Sequence, residues 1–113
     1  LKEALKIAAK KISTHSLSGF TPLHDGYAYD PINKTVVSPE GKVIQFSRKE
    51  YLLFELLLSH KRQIIPYDVI ENIVWKNSFM SIDALRTLVR GMRKKTYPDI
   101  ISNVNGIGYK VDL

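Results

Sequence analysis

Cysteine is absent from the 113 residues, which excludes disulfide staples and thiolate metal sites and fits a reducing compartment, the cytoplasm. Histidine is scarce, and His15, His24 and His60 are too scattered to hold a metal. No apolar stretch approaches the roughly 20 residues that a membrane span needs. The apolar burst YLLFELLL is short and carries Glu55, so it reads as a core helix. The N-terminus has lysines but no continuous apolar region, which argues against a signal peptide. Repeats and low-complexity tracts are lacking. Gly106-x-Gly108 has no third glycine and no helix after it, so it is no dinucleotide fingerprint. Ser, His and Asp occur without a nucleophile motif. Neither an enzyme nor a metal or cofactor site is expected, and no membrane partner.

What is present is ordinary globular composition, 44% hydrophobic and 25% charged, with room for one small domain and an accessory segment. The net charge of +6 is unevenly placed. Residues 81–98 hold Arg86, Arg90, Arg93, Lys94 and Lys95 against the single acid Asp83, and residues 1–20 hold four lysines against Glu3. Basic charge gathered in two helix-like segments suggests a binding face.

Leu1, Leu5, Ala8, Ala9 and Ile12 form one helical stripe, with Lys2, Lys6 and Lys10 opposite. So small a stripe needs something to lie on. Residues 13–24, rich in Ser, Thr, Gly and Pro, read as a linker or irregular lead-in. The expected division is therefore 1–24 as an amphipathic segment and linker, and 25–113 as the folded domain. From 26 to 46 short β-like runs alternate with turns at Asp30-Pro31 and Ser38-Pro39-Glu40-Gly41, the latter suited to type I, which predicts an antiparallel meander. Ser47-x-x-Glu50 is a capping box before the run from Tyr51 to Leu58. Pro66 opens a second helix, with Asp68 in its first turn. Trp75–Met80 reads as a loop. The third helix starts near Ser81, with Ile82, Leu85, Leu88, Val89 and Met92 on one face and Asp83, Thr87, Arg90 and Lys94 opposite. Asn105-Gly106, the favoured pair of a type I′ turn, joins strands 100–104 and 107–111. Sheet, helix, helix, loop, helix, hairpin is the order of a helix-turn-helix with a wing.

Four segments in that order, FSRKEYLLFELLL, IIPYDVIENIVW, LVRGMRKK and IISNVNGIGYKV, together resemble the C-terminal effector domain of OmpR/PhoB-type response regulators over about residues 26–112. The resemblance implies an α+β fold: a winged helix-turn-helix with an N-terminal antiparallel β-meander, three helices and a C-terminal β-hairpin wing. It implies a bacterial transcription regulator that binds double-stranded DNA, with helix 81–95 in the major groove and wing 100–111 on the minor groove or backbone. Carried over by position, Arg86, Thr87, Arg90, Gly91 and Asn105 are the candidates for base contacts, and Arg93, Lys94 and Lys110 those for phosphates. Lys76, Asn77, Phe79 and Met80 match the loop that touches RNA polymerase in several members. Gly91 and Asn105 stand where the family often carries a basic side chain, so its DNA sequence preference does not transfer. Trp75 and Tyr109 are expected as packing residues.

Further implied partners are RNA polymerase, a second copy on tandem DNA sites, and a sensor kinase acting only through a receiver domain. These residues contain no phospho-acceptor pocket. The start at Leu1 rather than Met points to a piece of something longer. The stripe at 1–12 fits the last helix of a receiver best, and also fits a non-native start or a self-association helix. Two alternatives stay open: a winged-helix regulator without a phosphorylated receiver, and a winged helix that binds protein. The basic row on the third helix weighs against the last, which has little need of it.

Overall fold

A computed structural model describes residues 19–76 and 78–113. The stripe at 1–13, the start of the lead-in and Asn77 lie outside the described residues. Strands β1 (Thr21–Pro22), β2 (Ala28–Asp30), β3 (Thr35–Val37) and β4 (Val43–Gln45) form an antiparallel meander in sequential order. Thr21 and Pro22, part of the expected lead-in, pair with Tyr29 and Ala28, so the sheet begins four residues before residue 25. The β3–β4 hairpin turns as its residues require. The Gly41 N–H donates to the Ser38 carbonyl at 2.9 Å, and Gly41 takes a φ of +91°, where a side chain would be strained.

Register aligns Tyr29 with Val36 and Val36 with Ile44, so strand alternation puts one buried row on one face. Helix α1 (Arg48–Leu58) lays Leu53, Phe54 and Leu57 against that row. The Phe54 ring meets Tyr29 at 5.0 Å and Phe46 at 5.6 Å, both edge-on, the arrangement that aromatic quadrupoles favour. The predicted capping box is present: the Ser47 N–H donates to Glu50 Oε1 at 2.8 Å, and the Glu50 N–H donates to Ser47 Oγ at 3.3 Å.

Strand β5 (Ile65–Pro66) leads into α2 (Tyr67–Ile70), whose continuation over Glu71–Trp75 is wound wider, as a π-helix. One regular helix was expected there. Lys76, with φ +50°, ends it. Helix α3 (Ile82–Lys95) is capped by Ser81 Oγ, which accepts from the Ala84 N–H at 3.0 Å. It buries Leu85, Val89 and Met92. After a short turn at Pro98–Ile100, β6 (Ser102–Val104) and β7 (Gly108–Lys110) form the wing, in a three-stranded sheet ordered β5-β7-β6. The expected architecture, meander, three helices and wing, is the one observed.

Candidate nucleic-acid interface

Burying Leu85, Val89 and Met92 fixes the rotation of α3 about its axis, because residues on the opposite side of a 3.6-residue repeat must then face out. Arg86, Thr87, Arg90 and Lys94 are all exposed. On one flank α3 meets the wing, and Arg86, Arg90, Arg93, Asn103 and Tyr109 line a cleft of about 200 Å³ between them. Asn103 and Tyr109 are paired across β6 and β7, so both face the arginines. Burial raises the Tyr109 hydroxyl pKa, with Tyr67 adding to the rise and Arg93 and Arg86 opposing it. The phenol therefore stays neutral at the cleft, beside three guanidinium groups. Asn103 is a candidate that sequence reasoning missed. Its signal was its register opposite Tyr109, which was itself expected as a packing residue.

Not every base of α3 faces the cleft or the open side. The Arg93 Nη2 and Nε both donate to the buried Ile101 carbonyl, at 2.7 and 3.3 Å, so this guanidinium fastens the helix to the wing while also lining the cleft. Lys95 turns the other way. Its Nζ lies 2.7 Å from Glu50 Oε1 and 3.0 Å from the Gln45 carbonyl, and 5.7 Å from the Phe46 ring centroid. The Glu50 side chain is only 9% exposed, so Lys95 neutralises a carboxylate that water hardly reaches. Replacing Lys95→Met should leave that carboxylate short of a partner and lower unfolding stability by about 1–3 kcal/mol, measured by urea denaturation. Affinity for duplex DNA should stay unchanged.

Gly91 does not fit the base-contacting role expected for it. A Cβ there would point toward Glu50 Oε2, at 3.8 Å, and so toward α1 instead of the open face. That distance is ordinary van der Waals contact, and nothing in the helix demands glycine. Gly91→Ala should therefore raise stability by about 1 kcal/mol, the ordinary helix-interior difference. Calorimetric melting would check it, and a lowered melting temperature would contradict the placement.

The wing tip is not the type I′ turn expected from Asn105-Gly106. Val104 pairs with Gly108, which leaves Asn105, Gly106 and Ile107 in the loop. The Ile107 N–H donates to the Val104 carbonyl at 3.0 Å. Gly106 has φ +74°, and Asn105 is not among the residues of positive φ. Positive φ at the second central position alone marks a type II turn. The Asn105 Oδ1 accepts from Asn103 Nδ2 at 2.7 Å, which holds the exposed tip amide on the Asn103 side. Lys110 sits at the wing base, 3.4 Å from Asp112, and not at the tip. Gly108 is required for another reason: a Cβ there would fall 2.0 Å from the Ile65 carbonyl oxygen of β5.

Of the loop candidates, Lys76 and Phe79 are exposed, Phe79 at 84%. Met80 is 6% exposed, and its N–H donates to Glu71 Oε2 at 2.9 Å. Its side chain belongs to the core, which corrects the assignment of Met80 to a partner surface. Asn77 lies outside the described residues. Among the described residues no cluster of His, Asp or Glu could hold a metal ion, and no helix is long and apolar enough to cross a membrane.

Against this geometry stand the comparisons with known proteins. The family described as "Transcriptional regulatory protein, C terminal" matches residues 41–111. The transcriptional regulatory protein PcoR of Escherichia coli is 34% identical over 89 residues, which cover 74% of this chain and 39% of PcoR. The chain thus corresponds to well under half of that relative. Among solved structures, the DNA-binding domain of Bacillus subtilis CssR superposes with a TM-score of 0.66 at 26% identity, covering 75% of this chain and 98% of that one. The DNA-binding domain of Klebsiella pneumoniae RstA, solved in complex with the RstA box, gives 0.67 at 20% identity, covering 82% and 96%. The chain belongs to this family, the C-terminal winged-helix domains of transcriptional regulatory proteins of the OmpR/PhoB response-regulator type.

Proposed function

We propose that the domain binds duplex DNA sequence-specifically, with α3 in the major groove and the wing over the adjacent minor groove or backbone. The observation that carries this is the outward row of α3: Arg86, Thr87, Arg90 and Lys94 are exposed together while the opposite stripe is buried. A major groove about 12 Å wide admits one helix, and arginine matches the guanine edge with two hydrogen bonds. Arg90 and Arg86 serve as readers. Thr87 suits a methyl or hydroxyl contact, while Lys94 and the cleft with Arg93 and Asn103 take phosphates, which position the helix without specifying sequence. The RstA DNA-binding domain, of the same fold, is described in complex with its RstA box, which supports DNA as the partner.

The chain acts as the output domain of a response regulator. A receiver domain elsewhere in the protein takes the signal from a sensor kinase in the cytoplasm, and two copies occupy tandem sites about one helical turn apart. A regulator without a phosphorylated receiver would use the same DNA face. The exposed Phe79, beside Lys76, is the surface offered to RNA polymerase. The test is selection from a random 25-bp duplex pool. Enrichment of a short motif is expected, and recovery of unselected sequence at bound fractions equal to the input would refute specific binding.

A further inference from the structure

The wing carries no cation from Ser102 to Gly108. The nearest, Lys110, lies at the wing base and is paired with Asp112 at 3.4 Å. What the tip does present is apolar: Ile107 is 51% exposed, between Gly106 and Gly108. Its backbone is held on both sides. Its N–H donates to the Val104 carbonyl at 3.0 Å, and its carbonyl accepts from the Tyr67 N–H at the start of α2, at 3.2 Å. An exposed isoleucine on a backbone tied at both polar groups is already ordered, so a contact there costs little further entropy.

Strand alternation puts Asn103 and Tyr109 on the wing face toward α3, where both line the cleft with Arg86, Arg90 and Arg93. Asn105 is hydrogen-bonded to Asn103 on that side, and Ile107 is two residues before Tyr109. The tip is slender, with glycine on both sides of the isoleucine. A minor groove is about 6 Å wide, and its walls are the apolar edges of the sugars.

From this we infer that Ile107 is a DNA-contacting residue that sets specificity: it packs in the minor groove next to the bases read by α3, with the Asn105 amide beside it. Side chains of this kind enter minor grooves as apolar wedges. The inference rests on α3 occupying the major groove. Its consequence is a wing that adds affinity and shape selectivity without adding to the salt dependence, because no phosphate counterion is released by an isoleucine. An arginine in the same place would do the reverse, steepening the salt dependence and favouring narrow A-tract grooves.

The experiment uses the duplex selected by the wild-type chain, bound by wild type, Ile107→Ala, Ile107→Arg and Arg90→Ala, each checked by thermal melting. In a second duplex, 2,6-diaminopurine replaces adenine at the steps flanking the α3 contact, which places an extra amino group in the minor groove and leaves the major-groove edge intact. Ile107→Ala should bind about tenfold more weakly at an unchanged salt slope, the slope being the count of released counterions. It should lose most of the wild-type sensitivity to diaminopurine. Ile107→Arg should steepen the slope by about one. Wild-type affinity and undiminished diaminopurine sensitivity in Ile107→Ala would overturn the inference. Indifference of binding to Arg90→Ala would instead overturn the placement of α3.

Discussion

Replacing Arg86→Ala and Arg90→Ala together should reduce affinity for the selected duplex by at least a hundredfold while leaving the melting temperature almost unmoved. Both side chains are exposed, and among the described residues neither makes a hydrogen bond or ion pair to the fold, so their removal takes nothing from the packed interior. A bidentate arginine–guanine contact is worth about 1–3 kcal/mol of discrimination, and two such groups account for the expected loss. Arg90→Ala alone should relax the preference at one base position, as position-by-position competition would read. Arg93→Ala is a poorer probe, because its guanidinium also holds the Ile101 carbonyl. That variant should lose stability and affinity together, which is why Arg90 and not Arg93 isolates recognition.

Gly108→Ala should be the most damaging single substitution outside the hydrophobic core. The added Cβ would sit 2.0 Å from the Ile65 carbonyl oxygen, 2.8 Å from its carbon and 3.0 Å from the Pro66 Cα. All three are backbone atoms of β5, so no side chain can swing away. Relief requires β7 to separate from β5, which breaks the Ile65–Tyr109 and Pro66–Gly108 pairings. Overpacking of a close-packed site costs about 1–3 kcal/mol and occasionally more, and a clash with fixed backbone belongs at the upper end. Urea unfolding should show a loss of about 3 kcal/mol or more, and amide exchange of Tyr67 and Tyr109 should quicken first. A stability loss below about 1 kcal/mol would mean that β5 and the wing are not joined as described.

The sequence made the local features legible and left the tertiary ones hidden. Ser47 and Glu50 signal a helix start within four residues, and the Pro39–Gly41 pair signals its turn, because those preferences are settled by neighbouring backbone atoms. The wing turn was mistaken for a related reason. Asn105-Gly106 does favour type I′, but the register is set elsewhere: Gly108 must lie over Ile65 and Pro66, and that pairing leaves one more residue in the loop. A contact across some forty residues outweighs the preference of two.

The basic residues of α3 show the same division. Their crowding on one helix is visible in the sequence, but only packing separates Arg86, Arg90 and Lys94, which face out, from Lys95, drawn to Glu50, and Arg93, fastened to Ile101. Met80 next to the exposed Phe79 could not be told from it by composition. Its N–H finds Glu71 and its side chain the core. Gly91 stood among the base-contact candidates, yet it faces α1.

Whether α3 meets phosphates and bases through its outward cations is tested most directly by one titration: affinity for the selected duplex as a function of salt, for wild type beside the triple variant Arg86→Ala, Arg90→Ala, Lys94→Ala. Each neutralised phosphate contributes about −0.9 to the slope of log K against log salt. The wild type should give a slope of about −2 or steeper, from Arg93 and Lys94, and the triple variant should lose about 1 of it with Lys94. Equal slopes for the two proteins, or a wild-type slope near zero, would contradict the assignment of α3 as the DNA-binding helix.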